Sequence, residues 1–220
     1  MKITRAIQFF LSYFYDIRLE QAVSHHNKQL ENLLSQGRIK LVIPNAVYSF
    51  KDFYNSFRSA FNILQTENRK IKGVLVLGFG LGSVPLILEK IYNKNANYIG
   101  VEIDENIIFL AHKYNSSLRK INLQLIKYDA LDYVKNCKEK FDLFAADLFI
   151  DNKVPEQFES EDFCRNLKQL LLPDGPVLFS QIFSTKESEK HGADFLQGAF
   201  KNIFPLAECI KTKGNIVLHN

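Results

Sequence analysis

Three glycines follow a short apolar segment in this chain of 220 residues. Gly78, Gly80 and Gly82 come directly after residues 74–77, and a helical pattern follows them. Glycine lets a backbone turn sharply and approach a ligand, and the N–H groups at the start of the next helix point at that ligand. The segment therefore predicts a binding loop between a strand and a helix.

Acidic residues follow the next two predicted strands. Glu102 lies 24 positions after Gly78, at the end of a strand over residues 98–101. An acid at this spacing accepts hydrogen bonds from both ribose hydroxyls of a nucleoside. Asp129 and Ala130 follow a strand over residues 123–126, where a carboxylate can receive an adenine amino group. These features share one edge of a sheet and predict a nucleoside site; the alternative is a glycine-rich turn with two acids that only cap helices.

The glycine spacing also bears on which ligand the loop binds. The NAD fingerprint requires a third glycine at position 83, whereas this chain has Ser83, and Gly82 comes one position early. The spacing therefore favours an adenosyl-sulfonium ligand over a dinucleotide. Ser83 also lacks the G-x-S-x-G context of a hydrolase nucleophile, which disfavours a serine hydrolase.

The elements that position these residues begin at Lys72. From there, short apolar segments alternate with helix-period segments, which is typical of a parallel sheet covered by helices. Helices are expected to begin at Asp104 and Ser160, and at a capping box formed by Ser184 and Glu187. The predicted strands cover residues 74–77, 98–101, 123–126, 141–146 and 176–180, with two more around a turn at residues 213–214. The expected fold is α/β, a Rossmann-like, doubly wound and mostly parallel seven-stranded sheet.

The first 70 residues lack this alternation. Residues 17–23, 28–34 and 39–43 have strand-like patterns, although parts of the first two would also suit the start of a helix. Residues 52–64 form an aromatic-rich helical pattern. We therefore expect a small N-terminal β cap over residues 1–50 and a Rossmann-like binding domain over residues 51–220.

The charge, the cysteines and histidines and the apolar segments of the chain exclude several classes of function. The net charge of +4 is spread along the chain, which argues against nucleic-acid binding. The three cysteines lie far apart and the five histidines lack ligand spacing, so neither a disulfide framework nor a metal site is expected. No segment approaches the roughly 18 apolar residues of a membrane span. The sequence predicts a soluble cytoplasmic protein without a membrane or nucleic-acid partner.

Four segments carry a family resemblance, and they cover residues 74–82, 98–104, 128–130 and 141–147. Together they resemble the spermidine synthase family and its methyltransferase-like relatives, within the class I S-adenosylmethionine-dependent methyltransferase superfamily. The resemblance implies that Glu102 holds the ribose, that Ile103 packs on adenine, and that Asp129 with Ala130 holds the adenine edge. Relatives in this family often dimerise, which makes the aromatic N-terminal segment a candidate homodimer interface.

The chain also departs from that family. Aminopropyltransferases carry an aspartate inside the glycine loop, where it holds the donor's terminal ammonium, and this chain has Leu81 there. They also carry two aspartates three residues apart after the fourth strand. Here the first is Asp147, the residue three positions on is Ile150, and Asp151 is one position out of step. The cap's donor-site glutamine is replaced by Tyr48.

These departures favour methyl transfer as the main hypothesis. The expected protein is a transferase that uses S-adenosylmethionine to methylate a small molecule, with Asp147 as base or orienting group and Asp151 as a second catalytic candidate. The first alternative is aminopropyl transfer from decarboxylated S-adenosylmethionine to a polyamine, which releases methylthioadenosine. The second alternative is a relative that binds nucleosides without catalysis. In the enzymatic cases the acceptor is a small molecule, with an amine as the candidate group.

Overall fold

The computed structural model describes residues 5–44, 46–150, 153–183, 185–212 and 215–220. Helix α1 (Arg5–Leu11) leads into an antiparallel sheet whose strands lie side by side in chain order. These strands are β1 (Ile17–Ala22), β2 (Leu30–Ser35), β3 (Arg38–Ile43) and β4 (Ala46–Ser49). Buried and half-buried residues alternate along β3, as expected of a strand that packs one face on a core. We call this sheet the cap.

The larger sheet has the order β10-β11-β9-β8-β5-β6-β7 within the described ranges. Strands β5 to β9 pair in parallel, and β10 and β11 are antiparallel at one edge. Its strands are β5 (Gly73–Leu77), β6 (Asn97–Glu102), β7 (Asn122–Lys127), β8 (Leu143–Ala146), β9 (Val177–Ile182), β10 (Glu208–Lys211) and β11 (Asn215–His219). The helices are α2 (Asn55–Ile63), α3 (Ser83–Lys90), α4 (Glu105–Tyr114), α5 (Ala130–Asn136), α6 (Glu161–Leu170), α7 (Lys186–Phe195) and α8 (Lys201–Ile203). The expected Rossmann-like fold with a small N-terminal β sheet is confirmed.

Strand β5 lies at the centre of this sheet and is buried on both faces. Val74 and Val76 pack into one core cluster, and Leu75 and Leu77 pack into another cluster on the opposite face. Side chains alternate across a strand, so a continuous apolar segment indicates burial on both faces. The sequence therefore places β5 in the interior, and its carboxyl end becomes the floor of the site.

The cap and the larger sheet share one of these core clusters. Leu30 and Leu41 of the cap are fully buried in the same cluster as Ile87 of α3 and Leu110 of α4. Each fully buried side chain of this kind contributes about 1.5–3 kcal/mol to stability. The cap is therefore packed onto the binding domain, and the division at residue 50 stays a prediction.

Three local predictions differ from the structure. Strand β4 was not predicted, and a 3₁₀ turn (Lys51–Phe53) precedes α2 where one continuous helix was expected. The capping box at Ser184 and Glu187 is wrong: α7 begins at Lys186, so the box pairs Thr185 with Ser188, and Ser184 lies outside the described residues. The turn at residues 213–214 also lies outside them. Among the helices of the described segments, none has the length and apolarity needed to cross a membrane.

Candidate functional site

The glycine loop leaves β5 and passes directly over the end of β8. Gly78 has a φ of 74°, and a Cβ atom there would lie 2.2 Å from the backbone oxygen of Asp147. The Asp147 N–H in turn donates to the Leu77 carbonyl at 2.8 Å. Only glycine fits this conformation and this close approach. The glycine loop therefore fixes the backbone of Asp147 beside the carboxyl end of β5.

Gly80 brings the same loop against the cap. Its φ is 55°, and an added Cβ would lie 3.3 Å from the Tyr48 carbonyl oxygen and 3.4 Å from Ser49 Cβ. Gly82 differs, because its neighbours are Leu118 and the Phe79 ring and it does not line the cavity. Gly78 and Gly80 therefore line the cavity, whereas Gly82 lies in a packing contact, and the binding role of all three stays a prediction.

Glu102 ends β6 beside the glycine loop. Its side chain is buried, and its Oε2 accepts a hydrogen bond from the Gly80 N–H at 3.0 Å. Its Oε1 accepts from the Asp104 N–H at 3.1 Å. Burial raises the pKa of the Glu102 carboxyl, and the backbone donors oppose that rise. The carboxylate is thus held rigidly at the cavity wall, and its predicted ribose contact stays a prediction.

The wall beyond Glu102 comes from the ends of β6 and β7. Ile103, Tyr128, Asp129 and Ala130 all line the cavity. Asp129 also caps α5, because its Oδ1 accepts from the Leu131 N–H at 2.8 Å. Asp129 therefore caps a helix, as the alternative interpretation expects, and it also lines the cavity.

Asp147 directly follows β8 and lines the cavity on the other side of β5 from Glu102. Its Oδ2 accepts a hydrogen bond from the Tyr54 hydroxyl at 2.8 Å. The Ser180 hydroxyl is close enough to stabilise the carboxylate, although the buried Oδ1 has no partner of good hydrogen-bond geometry among the described residues. Burial raises the pKa of Asp147 to about 7, and the Tyr54 and Ser180 hydroxyls oppose the rise. The charge on Glu102 adds a smaller increase. A carboxyl with this pKa exchanges a proton near neutral pH.

The cavity enclosed by these residues has a volume of about 270 Å³. It lies outside the carboxyl ends of β5, β6, β7 and β8, where open α/β sheets bind their ligands. Leu81 is buried in the core away from the cavity, and Ile150 lines it. Asp151 lies outside the described residues. All other predicted site residues except Gly82 line this one cavity.

Sequence reasoning missed part of the wall. His26 and Asn27, from the loop between β1 and β2, line the cavity, as do Gln157 and Phe158. These residues carry no strand-end or glycine signal, because the cap and the segment after β8 reach the site only through tertiary packing. Tyr48, which stands where the family pattern has a glutamine, also lines the cavity.

The residues present fit an adenosyl ligand. The chain supplies a rigid buried carboxylate at Glu102, a glycine loop with no room for a side chain, and a carboxylate with a buried oxygen at Asp147. A positively charged or amino-bearing group in the cavity would be attracted to the Asp147 carboxylate, which lines it.

Sequence comparison identifies the family. The sequence model of the spermine/spermidine synthase domain matches residues 59–215, well over half of the chain. The chain belongs to this family. A polyamine aminopropyltransferase of Vibrio vulnificus is 30% identical over 140 residues, which cover 62% of this chain and 46% of that relative. The chain thus spans less than half the length of this curated relative.

Solved structures show the same fold. The spermidine synthase of Thermotoga maritima superposes with a TM-score of 0.70 at 12% identity, over 92% of this chain and 72% of that one. Human methyltransferase-like protein 13, solved in complex with SAH, superposes with a TM-score of 0.62 at 20% identity, over 74% of this chain and 81% of that one. At these identities the likeness concerns the fold alone.

Proposed function

We propose that this protein transfers an aminopropyl group from decarboxylated S-adenosylmethionine to a small amine. Family membership and the name of the Vibrio vulnificus relative support aminopropyl transfer over methyl transfer. The methyl transfer that the sequence departures favour thereby becomes the second candidate. In either case the adenosyl part binds along Glu102, Ile103, Asp129 and Ala130, which line one side of the cavity.

The observation that carries the proposal is the Asp147 carboxyl. An amine attacks carbon only through its free lone pair, so a protonated amine must first lose a proton. Asp147 accepts that proton first; the freed lone pair then forms the new C–N bond while the C–S bond breaks, and the electron pair of that bond stays on sulfur. A pKa of about 7 suits this exchange, and Tyr54 holds the carboxyl in place through its hydroxyl.

Methyl transfer remains the second candidate because of Leu81. This side chain is buried in the core, so the described part of the glycine loop offers no carboxylate to a lone donor ammonium. S-adenosylmethionine carries a carboxylate beside its amine, and the part of the glycine loop that lines the cavity, at Gly78 and Gly80, places no negatively charged side chain against it. This feature favours the carboxylated donor.

One experiment separates the candidates. The purified protein is incubated with 1,4-diaminobutane and either decarboxylated S-adenosylmethionine or S-adenosylmethionine, and the nucleoside products are measured by mass spectrometry. Aminopropyl transfer predicts amine-dependent methylthioadenosine, which Asp147→Asn abolishes. Amine-dependent formation of S-adenosylhomocysteine would instead support the methyl-transfer hypothesis. Tight binding of methylthioadenosine without either product would support the non-catalytic alternative.

The acceptor itself is tested in the same assay. Ile150 lines the cavity where the family pattern has a second aspartate, so Asp147 is the acid that the described residues place beside it in the cavity wall. Butylamine serves as the monoamine counterpart of 1,4-diaminobutane. Equal turnover of both would indicate that one ammonium is enough for recognition, and a strong preference for the diamine would indicate a second acidic contact.

A further inference from the structure

A row of three polar side chains crosses β8, β9 and β11 beside the cavity. Strands β8 and β9 run parallel, and the register that pairs Ala146 with Phe179 places Asp147 next to Ser180. On the other side of β9, Asn215 Nδ2 donates a hydrogen bond to Ser180 Oγ at 3.3 Å. Side chains of neighbouring residues in adjacent strands point to the same face of a sheet. Asp147, Ser180 and Asn215 therefore form one polar row, with Ser180 in the middle.

The chemistry of these three groups sets the direction of their hydrogen bonds. A carboxylate can only accept and an amide nitrogen can only donate, whereas a hydroxyl does both with a single hydrogen. Because Asn215 donates to the oxygen of Ser180, the hydrogen of Ser180 is free to point at Asp147. Ser180 is fully buried, so bulk water does not compete for that hydrogen.

Asp147 receives a second hydroxyl from the helix that covers this face of the sheet. Helix α2 packs on β9 and β11, and Tyr54, just before it, donates to Asp147 Oδ2 at 2.8 Å. Burial raises the pKa of Asp147 to about 7, and the hydrogen bonds from Tyr54 and Ser180 oppose that rise. The two hydroxyls thus set how readily the buried carboxyl releases and takes up a proton.

We propose that Ser180 and Asn215 are positioning residues for Asp147: Asn215 orients the Ser180 hydroxyl, and that hydroxyl keeps the carboxylate ionised and ready to accept the proton of the amine. This inference rests on the proposed function, since it gives Asp147 the role of proton acceptor. Neither Ser180 nor Asn215 lines the cavity, so both act on the substrate through Asp147.

The titration of Asp147 is measured directly in the full chain, by carbon-13 NMR of the side-chain carboxyl in protein labelled at aspartate. The resonance is assigned by its absence in Asp147→Asn. Ser180→Ala removes one donor to the carboxylate and should raise the titration midpoint by about one unit, the size expected for a lost hydrogen bond to a charged group. Ser56→Ala is the matched control, because Ser56 is a buried serine of α2 whose hydroxyl accepts from Thr212. This control should keep the wild-type midpoint.

Asn215→Ala tests the orienting role. It should raise the midpoint in the same direction, because the Ser180 hydroxyl is then free to turn away from Asp147. If Asn215 acts through Ser180, the double variant should have the midpoint of Ser180→Ala alone. Two independent effects would add instead, and that result would overturn the role assigned to Asn215.

The rate of transfer supplies a second readout that a purely structural role would not move. The pH at which the rate reaches half of its maximum should rise with the NMR midpoint in Ser180→Ala, while the maximal rate at high pH stays similar to that of the wild type. A lowered maximal rate at an unmoved pH would overturn the inference. The other titrating groups are common to all variants, and among the described residues they are Tyr54 and Glu102 near Asp147 and, around the cavity, His26, Tyr48, Tyr128 and Asp129.

The outcomes separate this inference from the proposed function. A wild type that titrates near pH 7 but transfers no group contradicts the proposed function, and the positioning role fails with it. An active wild type whose midpoint is unchanged in Ser180→Ala overturns the inference alone. If Ser180→Ala does not fold, Asn215→Ala is the decisive variant, because Asn215 is half-buried and its replacement leaves the buried hydroxyl in place. An unchanged midpoint in that variant overturns the inference.

Discussion

Replacing Asp147 with asparagine should change how the stability of the protein depends on pH. Burial raises the pKa of this carboxyl from its ordinary value of 3.8 to about 7. In the unfolded chain the group ionises near pH 4, whereas in the folded chain it keeps its proton until near pH 7. The folded wild-type protein therefore loses stability as pH rises between these values, and asparagine, which does not titrate, removes that loss.

The size of the expected stability change follows from the size of the pKa shift of Asp147. About three pKa units correspond to roughly 4 kcal/mol in total, and the part that develops between pH 5 and pH 8 is about 2–3 kcal/mol. Asp147 keeps part of its surface open to the cavity, so these figures are upper bounds. Glu102 has a raised pKa as well, but it is present in both proteins and its contribution largely cancels in the comparison.

The assay is urea unfolding followed by circular dichroism at pH 5, 6, 7 and 8. The free energy of unfolding of Asp147→Asn, minus that of the wild type, should increase from pH 5 to pH 7 and level off towards pH 8, because the folded carboxyl ionises near pH 7. Asp162→Asn is the control, because its side chain is 86% exposed and should leave the difference constant. Parallel curves for Asp147→Asn and the wild type would mean that Asp147 titrates as an ordinary carboxyl, and its role as a proton acceptor near pH 7 would be refuted.

Three further perturbations test other parts of the site and fold. Tyr54→Phe removes a hydrogen bond that lowers the pKa of Asp147, so the rise of the transfer rate with pH should move up by about one unit; an unmoved profile would contradict the pairing. Glu102→Gln should weaken methylthioadenosine binding by roughly 1–3 kcal/mol, and unchanged calorimetric affinity in a folded variant would remove Glu102 from the site. Asn32→Leu should raise the free energy of unfolding in urea by about 1–2 kcal/mol, because both polar atoms of this buried side chain lack partners among the described residues. A loss of stability there would mean that the amide is satisfied in solution.

The strands and the edge that carries the site are predictable from the sequence. Parallel strands place their carboxyl ends together, so residues that follow apolar segments must meet at one edge of the sheet. Glu102, Asp129 and Asp147 each follow such a segment, and each lines the cavity. The glycine loop is predictable for the same reason, because it joins a buried strand to a helix. Local sequence patterns are therefore enough to predict the site residues that lie at the ends of the parallel strands.

Only the tertiary structure decides which side chains pair across the site. Tyr54 and Asp147 are 93 positions apart, and Asn27 and Asp104 are 77 positions apart. No periodicity links such residues, because their contact depends on how the cap and α2 pack on the sheet. The same packing distinguishes Gly80, which meets the cap, from Gly82, which meets Leu118. The sequence by itself determined the sheet edge and its acids, and packing decided which of those acids acquires a hydroxyl partner, a buried oxygen and a pKa near 7.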